Sequence, residues 1–250
     1  MILRRHWIEK EGYKVLSSIG KGRYGVCFLA FNKEGRKVVL KRFRPHMLRK
    51  NKAYNHYEAV ILSDIDHEAM PRFLGVVNSR SGYYFILEHK EGLSLSEWIF
   101  KRKKVFTLYE IYTIIMQLLD ILEYLHQKNI VHGDISISNI IYKDGNVSLI
   151  DFGLARYTDD TGKGFDIDYA YTAEVLLYML YTGYDGRGNR PWYEELTLAK
   201  DQKDFIKKMM DPSWTQKLSK NKNTIKIIKR EFEDCFGSNK IAGFAGTGEI

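Results

Sequence analysis

Proline is scarce in this chain of 250 residues, with only four, and no low-complexity tract appears, so nothing marks a long disordered linker. Cysteine is scarcer still: Cys27 and Cys235 are too few for a disulfide framework, and no Cys-x-x-Cys pair suggests a zinc site. No apolar run approaches the roughly 18 residues needed to span a bilayer as a helix. The densest such stretch, residues 175–181, reads as buried helix. The amino-terminal run from Met1 to His6 has no long apolar core of the signal-peptide kind, so the cytoplasm is the expected location. Acid is in deficit as well, with 31 Asp and Glu against 39 Lys and Arg, for a net charge of +8.

The cations cluster at residues 41–52, 101–104 and 217–230. Such a surface favours acidic partners: nucleotide, nucleic acid, acidic peptide or an anionic lipid surface. No RNA-binding or zinc-finger signature accompanies the charge, which leaves nucleic acid a secondary partner at most. A hydrophobic content of 44% with 28% charged residues is ordinary for a globular protein, and the length fits one large domain or two lobes.

Up to about Glu88 the chain reads as strands with one helix. Residues 13–19, 26–31 and 37–43 are short β-branched or aromatic runs broken by glycine, with turn signals at 32–35 and 78–82. Between them Tyr54, Glu58, Ile61 and Leu62 recur at helical spacing. Beyond residue 92 the patterns are mainly helical. Thr107 and Glu110 have capping-box spacing and open a helix to about Gln127, with Leu108, Ile111, Ile115, Leu118, Leu119, Leu122 and Leu125 as its apolar stripe. Short strands are expected at 130–131, 139–142 and 147–150, turning at Asp144-Gly145 or Gly145-Asn146, and further helices over 168–181, 197–210 and 224–236. The expectation is an α+β fold of two lobes: a β-rich lobe over 1–88, a helical lobe over 89–236, and a flexible tail over 237–250.

Four pieces of this chain suit the handling of a nucleotide triphosphate. Gly20-Lys21-Gly22-Arg23-Tyr24-Gly25 lies between two strand-like runs, where glycines let backbone N–H groups approach phosphate oxygens. A strand-loop-helix dinucleotide turn is disfavoured because residues 26–31 continue as strand. Lys41 closes the strand Val38-Val39-Leu40-Lys41 and can pair with phosphates, with Glu58 on the following helix as its acidic partner. In the run from His132-Gly133-Asp134 to Asn139, Asp134 can accept the proton of an attacking hydroxyl and Asn139 can offer an amide oxygen to Mg²⁺. His132 reads as a buried packing and hydrogen-bonding residue. Asp151, heading Asp151-Phe152-Gly153, supplies a carboxylate for the same hard cation. Phosphoryl transfer needs positioning and charge stabilisation rather than covalent chemistry, and each piece supplies one part.

On these motifs the sequence resembles the eukaryotic-type (Hanks) serine/threonine protein kinases, especially minimal bacterial members, over roughly residues 13–236. The resemblance implies ATP and Mg²⁺ as cofactors and a protein, or the chain itself, as acceptor. It implies Gly20, Gly22 and Gly25 over the phosphates, Lys41 on ATP, Glu58 bracing Lys41, Asp134 as catalytic base, and Asn139 and Asp151 as metal ligands. It further implies Leu87 as gatekeeper, backbone groups of Glu88 and Lys90 towards the adenine, and Cys27, Val39 and Ile141 around the ring.

The departures matter. Gly133 replaces the arginine of His-Arg-Asp, which implies no reading of a phosphorylated activation loop. Ser136 and Ser138 stand where a cation near the γ-phosphate is usual, which implies a slow enzyme. No Ala-Pro-Glu follows Gly153, and the activation segment is short, with Thr158 and Thr161 as candidate sites of autophosphorylation. His132-Gly133-Asp134 with Asn139 also resembles aminoglycoside and choline phosphotransferases and the small atypical kinase of tRNA threonyl-carbamoylation. In that alternative, Asp166 or Asp168 braces the catalytic loop.

Overall fold

A computed structural model describes residues 8–22, 25–44, 52–80, 82–159, 161–186, 188–219 and 224–237. Arg23 and Tyr24 of the glycine motif, residues 45–51 of the basic stretch 41–52 and the tail beyond 237 lie outside the described residues, as do the side chains of Tyr54 and Lys217. The chain divides into two compact units, Met1–Glu91 with Phe152–Ala155, and Gly92–Asp151 with Arg156–Ile250.

The first unit is built on a five-stranded antiparallel sheet of β1 (Lys14–Lys21), β2 (Gly25–Phe31), β3 (Lys37–Phe43), β4 (Phe73–Ser79) and β5 (Gly82–Glu88), in the order β1-β2-β3-β5-β4. Alternation decides its two faces. Val38 and Leu40 of β3 pack with Ala30, Tyr84 and Ile86 and with Ile8 on one face. Lys41 and Phe43 therefore point to the other, where Phe43, Tyr83, Phe85 and Phe73 form edge-on and tilted ring contacts with centroids 4.6–5.9 Å apart. Helix α1 (Lys52–Asp64) presents Glu58, Ile61 and Leu62 as buried residues, as the helical spacing predicts. Gly25 is required at the start of β2, because a Cβ there would run into the carbonyl of Arg42 on β3.

The second unit is mainly helical. Helix α2 (Leu108–Gln127) starts with the expected capping box: Thr107 Oγ1 accepts the Glu110 N–H at 3.2 Å and Glu110 Oε2 accepts the Thr107 N–H at 2.9 Å. Its buried stripe contains the expected leucines and isoleucines from 111 to 125 and adds Ile114, Ile121 and His126. Leu108, at the start of that stripe, is only half-buried. Strands β6 (Leu93–Ser94), β8 (Ile140–Lys143) and β9 (Asn146–Leu149) form one small sheet; β7 (Ile130–Val131) pairs with β10 (Arg156–Tyr157). Of the two turns open to the sequence, the chain uses Asp144-Gly145, both at positive φ (49° and 83°).

Helix α3 (Phe165–Leu180) begins three residues before the expected 168, since Gly164, in the left-handed region at its N-cap, is where the helix is entered. It is buried on most sides. A short α4 (Trp192–Glu195) precedes α5 (Lys200–Met210), which opens at 200 rather than 197. Then come α6 (Pro212–Ser219) and α7 (Thr224–Phe236). Phe205, Phe232 and Phe236 cluster between α5 and α7, Tyr112 of α2 stacks on Phe232, and Lys229 of α7 bridges Asp120 and Glu123 of α2 at 2.5 and 2.7 Å. A π-helical turn, Glu97–Lys101, was not anticipated from the sequence. Neither were α4 and α6, although Asp211-Pro212 carries the signal for α6: Asp211 Oδ1 accepts the Ser213 N–H at 2.8 Å, and proline suits a first helical turn. Among the described residues no helix is long and apolar enough to cross a membrane.

Candidate active site

In the first unit, register places the expected nucleotide residues on one sheet face. Directly opposed residues of an antiparallel pair share a face. Gly20 opposes Cys27, Cys27 opposes Lys41, Lys41 opposes Phe85, and Val39 opposes Leu87. Cys27 and Val39 are half-buried and Leu87 is 8% exposed. On the same face Lys41 Nζ lies 2.5 Å from Glu58 Oε1, with the two residues 5% and 3% exposed. Taking a charge pair so far out of water is costly unless the geometry is good, and each member depends on the other. Gly22 donates its N–H to the Gly25 carbonyl at 3.0 Å and accepts from Arg44 at 3.0 Å, which closes the described part of the glycine turn. A Cβ at Gly22 would meet nothing, so packing within the protein does not demand glycine there.

At the end of β5, Glu88 donates its backbone N–H to the Arg72 carbonyl at 2.9 Å, which engages that N–H within the protein. Burial acts to raise the Glu88 carboxyl, but the Arg72 N–H and the Lys90 ammonium 3.1 Å away outweigh it and hold it below the usual range. Lys90 Nζ also donates to the Glu68 carbonyl at 2.7 Å.

The second unit carries Asp134, Asn139, Ile141 and Asp151. The loop 132–139 hangs from Asp168 near the start of α3. Asp168, fully buried, accepts the His132 N–H through Oδ2 at 2.9 Å and the Gly133 N–H through Oδ1 at 2.8 Å. The same Oδ2 lies 3.0 Å from His126 Nε2, while His126 Nδ1 lies 3.1 Å from the Tyr169 hydroxyl and the imidazole stacks on Phe165 at 3.8 Å between centroids. Burial pushes the Tyr169 phenol up, so it stays protonated.

Further along the loop, Asn139 Nδ2 donates to the Asp134 carbonyl at 2.8 Å and to Asp134 Oδ2 at 3.0 Å. This fixes the aspartate's direction. It also commits both amide hydrogens, so Asn139 can meet a ligand only through its Oδ1. Asn139 O accepts the Ile150 N–H at 2.8 Å, tying the loop to the strand that leads into Asp151. Asp151 has a positive φ of 64°, a conformation costing an L-residue about 1–2 kcal/mol, and its side chain is exposed.

His132 organises this cluster from within. It is fully buried, and its Nδ1 accepts the Asp134 N–H at 3.3 Å. Burial dominates and depresses its pKa, although Asp168, Asp151 and Asp134, all within electrostatic reach, pull the other way. Three carboxylates thus surround one neutral imidazole. An amide oxygen and an exposed carboxylate are hard oxygen donors and fit a Mg²⁺ that takes its other ligands from phosphates and water. Among the described residues no group of three or more His, Cys, Asp or Glu makes an all-protein cage, and such an ion needs none.

Of the two candidate acceptors, Thr158 Oγ1 donates to the Lys163 carbonyl at 2.8 Å, and Thr161 Oγ1 donates to Asp159 Oδ1. The sequence reading missed His126, Phe165 and Tyr169. Nothing in their spacing distinguishes them from core residues, and only the fold brings a helix end and a helix start together around Asp168.

A family model for the protein kinase domain matches residues 13–189. The chain is 35% identical over 218 residues to the probable serine/threonine-protein kinase YbdM of Bacillus subtilis, covering 83% of this chain and 85% of that protein. It is 37% identical over 150 residues to the probable cyclin-dependent kinase 10 of Dictyostelium discoideum, and 32% identical over 156 residues to the serine/threonine-protein kinase PknA of a Nostoc species. Each of these two matches covers 58% of this chain, but the chain spans only 41% and 28% of those proteins. With a β-rich unit, a helical unit and a domain match over most of its length, the chain belongs to the protein kinase family.

Proposed function

We propose that this protein kinase transfers the γ-phosphate of ATP, carried with Mg²⁺, to serine or threonine hydroxyls of a protein acceptor, with Thr158 and Thr161 as candidate acceptors on the chain itself. The loop around Asp134 carries the reading: Asp168 holds its backbone from one side and Asn139 holds the Asp134 carboxylate from the other.

In this reading Asp134 accepts the proton of the attacking hydroxyl. Asn139 and Asp151 take the metal, which neutralises phosphate charge when bound. Lys41, held by Glu58, takes the α- and β-phosphates. Gly20, Gly22 and Gly25 lie over the phosphates, and Cys27, Val39, Leu87 and Ile141 contact the adenine, with backbone groups of Glu88 and Lys90 hydrogen-bonding its edge. No cation stands at Ser136 or Ser138, so turnover is slow. The relatives are named as protein kinases, which disfavours the small-metabolite alternative and gives nucleic acid no support as a partner.

The test is incubation with γ-labelled ATP, Mg²⁺ and a general acceptor protein. Label should appear on protein and disappear with Asp134→Asn; label that persists in that variant overturns the assignment.

A further inference from the structure

Arg44 lies just past the end of β3, half-buried, and its Nη2 donates to the carbonyl of Gly22 at 3.0 Å. Gly22 follows β1, and β2 runs between β1 and β3. The side chain therefore reaches across a strand to hold the far limb of the glycine turn. Among the described residues no carboxylate pairs with this guanidinium.

The faces of the sheet fix the direction of the pull. Arg42 covers the Phe28 ring at 5.7 Å, and Phe28 packs on the cluster of Ile8, Val38 and Leu40. Arg44, two residues on, keeps to that outer side. Lys41 and Cys27, directly opposed in register, occupy the other face, the one assigned to the nucleotide. The Gly22 carbonyl is thus drawn outward.

The backbone amides of the turn carry the consequence. The N–H of Gly22 is engaged by the Gly25 carbonyl at 3.0 Å, so it is not offered to a phosphate. The next N–H shares a planar trans peptide with the Gly22 carbonyl, and in such a unit N–H and C=O point in opposite directions. With the carbonyl held outward, that N–H is turned towards the face of Lys41. A Cβ at Gly22 would meet nothing, so the space beside this peptide is open to a ligand.

We propose, on the reading above that ATP is the phosphate donor, that Arg44 is a positioning residue for its phosphates. By holding the Gly22 carbonyl, it aims one backbone N–H of the glycine turn at the phosphate oxygens without touching the nucleotide itself. Without the clamp the peptide plane is free to rotate, and the contact is made less often. The loss falls on the phosphates alone; adenosine, which has none, does not sense it.

The test titrates ATP, ADP and adenosine, with Mg²⁺, into the full chain. Arg44→Ala should weaken ATP and ADP about five- to tenfold and leave adenosine unchanged, which also shows that the variant is folded. Arg44→Lys, which keeps a donor, should recover part of that loss. In transfer assays the KM for ATP should rise by the same factor with kcat unchanged, as for a contact made equally in ground and transition states. The loss should persist in 1 M salt, where charges are screened beyond about 3 Å. Equal weakening of ATP and adenosine, unchanged ATP affinity, or a loss that vanishes in 1 M salt overturns the clamp. Should no acceptor be phosphorylated, a loss confined to ATP and ADP keeps the clamp while the protein-acceptor reading falls. A wild-type chain that binds ATP no better than adenosine overturns both.

Discussion

Asp168 accepts the backbone N–H of Gly133 at 2.8 Å, and Gly133 sits at a φ of +73° that favours glycine. The two features belong together: a left-handed residue turns the N–H groups of 132 and 133 towards one carboxylate, and the chain then leaves towards Asp134. Asp168→Asn replaces one acceptor oxygen by a donor facing an N–H group. That leaves a buried donor unmet at a cost of about 1–3 kcal/mol, and at 2–4 °C per kcal/mol for a chain of this size the melting temperature should fall by roughly 2–12 °C. Phosphate transfer should fall much further than residual folding explains, measured as kcat at a temperature where the variant remains folded.

Gly133→Ala tests the backbone directly. A Cβ at this φ costs about 1–2 kcal/mol, so differential scanning calorimetry should show a drop of several degrees. Gly133→Arg, which restores the family's usual residue, should be no more stable than Gly133→Ala.

The Lys41–Glu58 pair separates stability from function. Lys41→Met removes the cation beside a buried carboxylate and Glu58→Leu removes the anion beside a buried ammonium, each costing about 3–5 kcal/mol. Combined, they replace a charge pair by two apolar side chains, and most of the lost melting temperature should return. ATP-dependent transfer should not return. A double variant that regained transfer would show that the pair is structural only.

His132 makes stability pH-dependent with a defined sign. Its pKa is lowered in the folded protein by burial, so the unfolded chain binds the proton more readily. Its contribution is therefore complete above the ordinary histidine value near 6.5 and is lost as pH falls below it. His89, lowered mainly by burial and by Lys37, adds in the same direction. The carboxylates of Glu88, Glu97 and Glu110 are held low and begin to lose stability only near and below their ordinary value of 4.5. Urea melts between pH 7 and 5 should thus show falling stability, with a shallower slope in His132→Asn.

Much of the architecture could be read from the chain because local signals and global fold agree. The Thr107–Glu110 box, the stripe from Ile111 to Leu125 and the alternation of β3 each state one element and its buried face. The pairing of Lys41 with Glu58 followed from a strand and a helix in sequence, and the structure brings the two side chains together as expected. What could not be read depends on meetings between distant segments. Asp168 appeared only as one of two possible braces, and no pattern shows that His126, 42 residues earlier, shares its oxygen. The π-helical turn at 97–101 is equally silent, since its extra residue per turn leaves no period to detect.

Phosphosite mapping by mass spectrometry, after incubation with ATP, Mg²⁺ and an acceptor protein, tests the central claim most directly. The account predicts phosphoserine or phosphothreonine on the acceptor or on this chain, lost in both Asp134→Asn and Lys41→Met. Phosphate confined to an added small metabolite, or protein phosphorylation unchanged in Asp134→Asn, would contradict it.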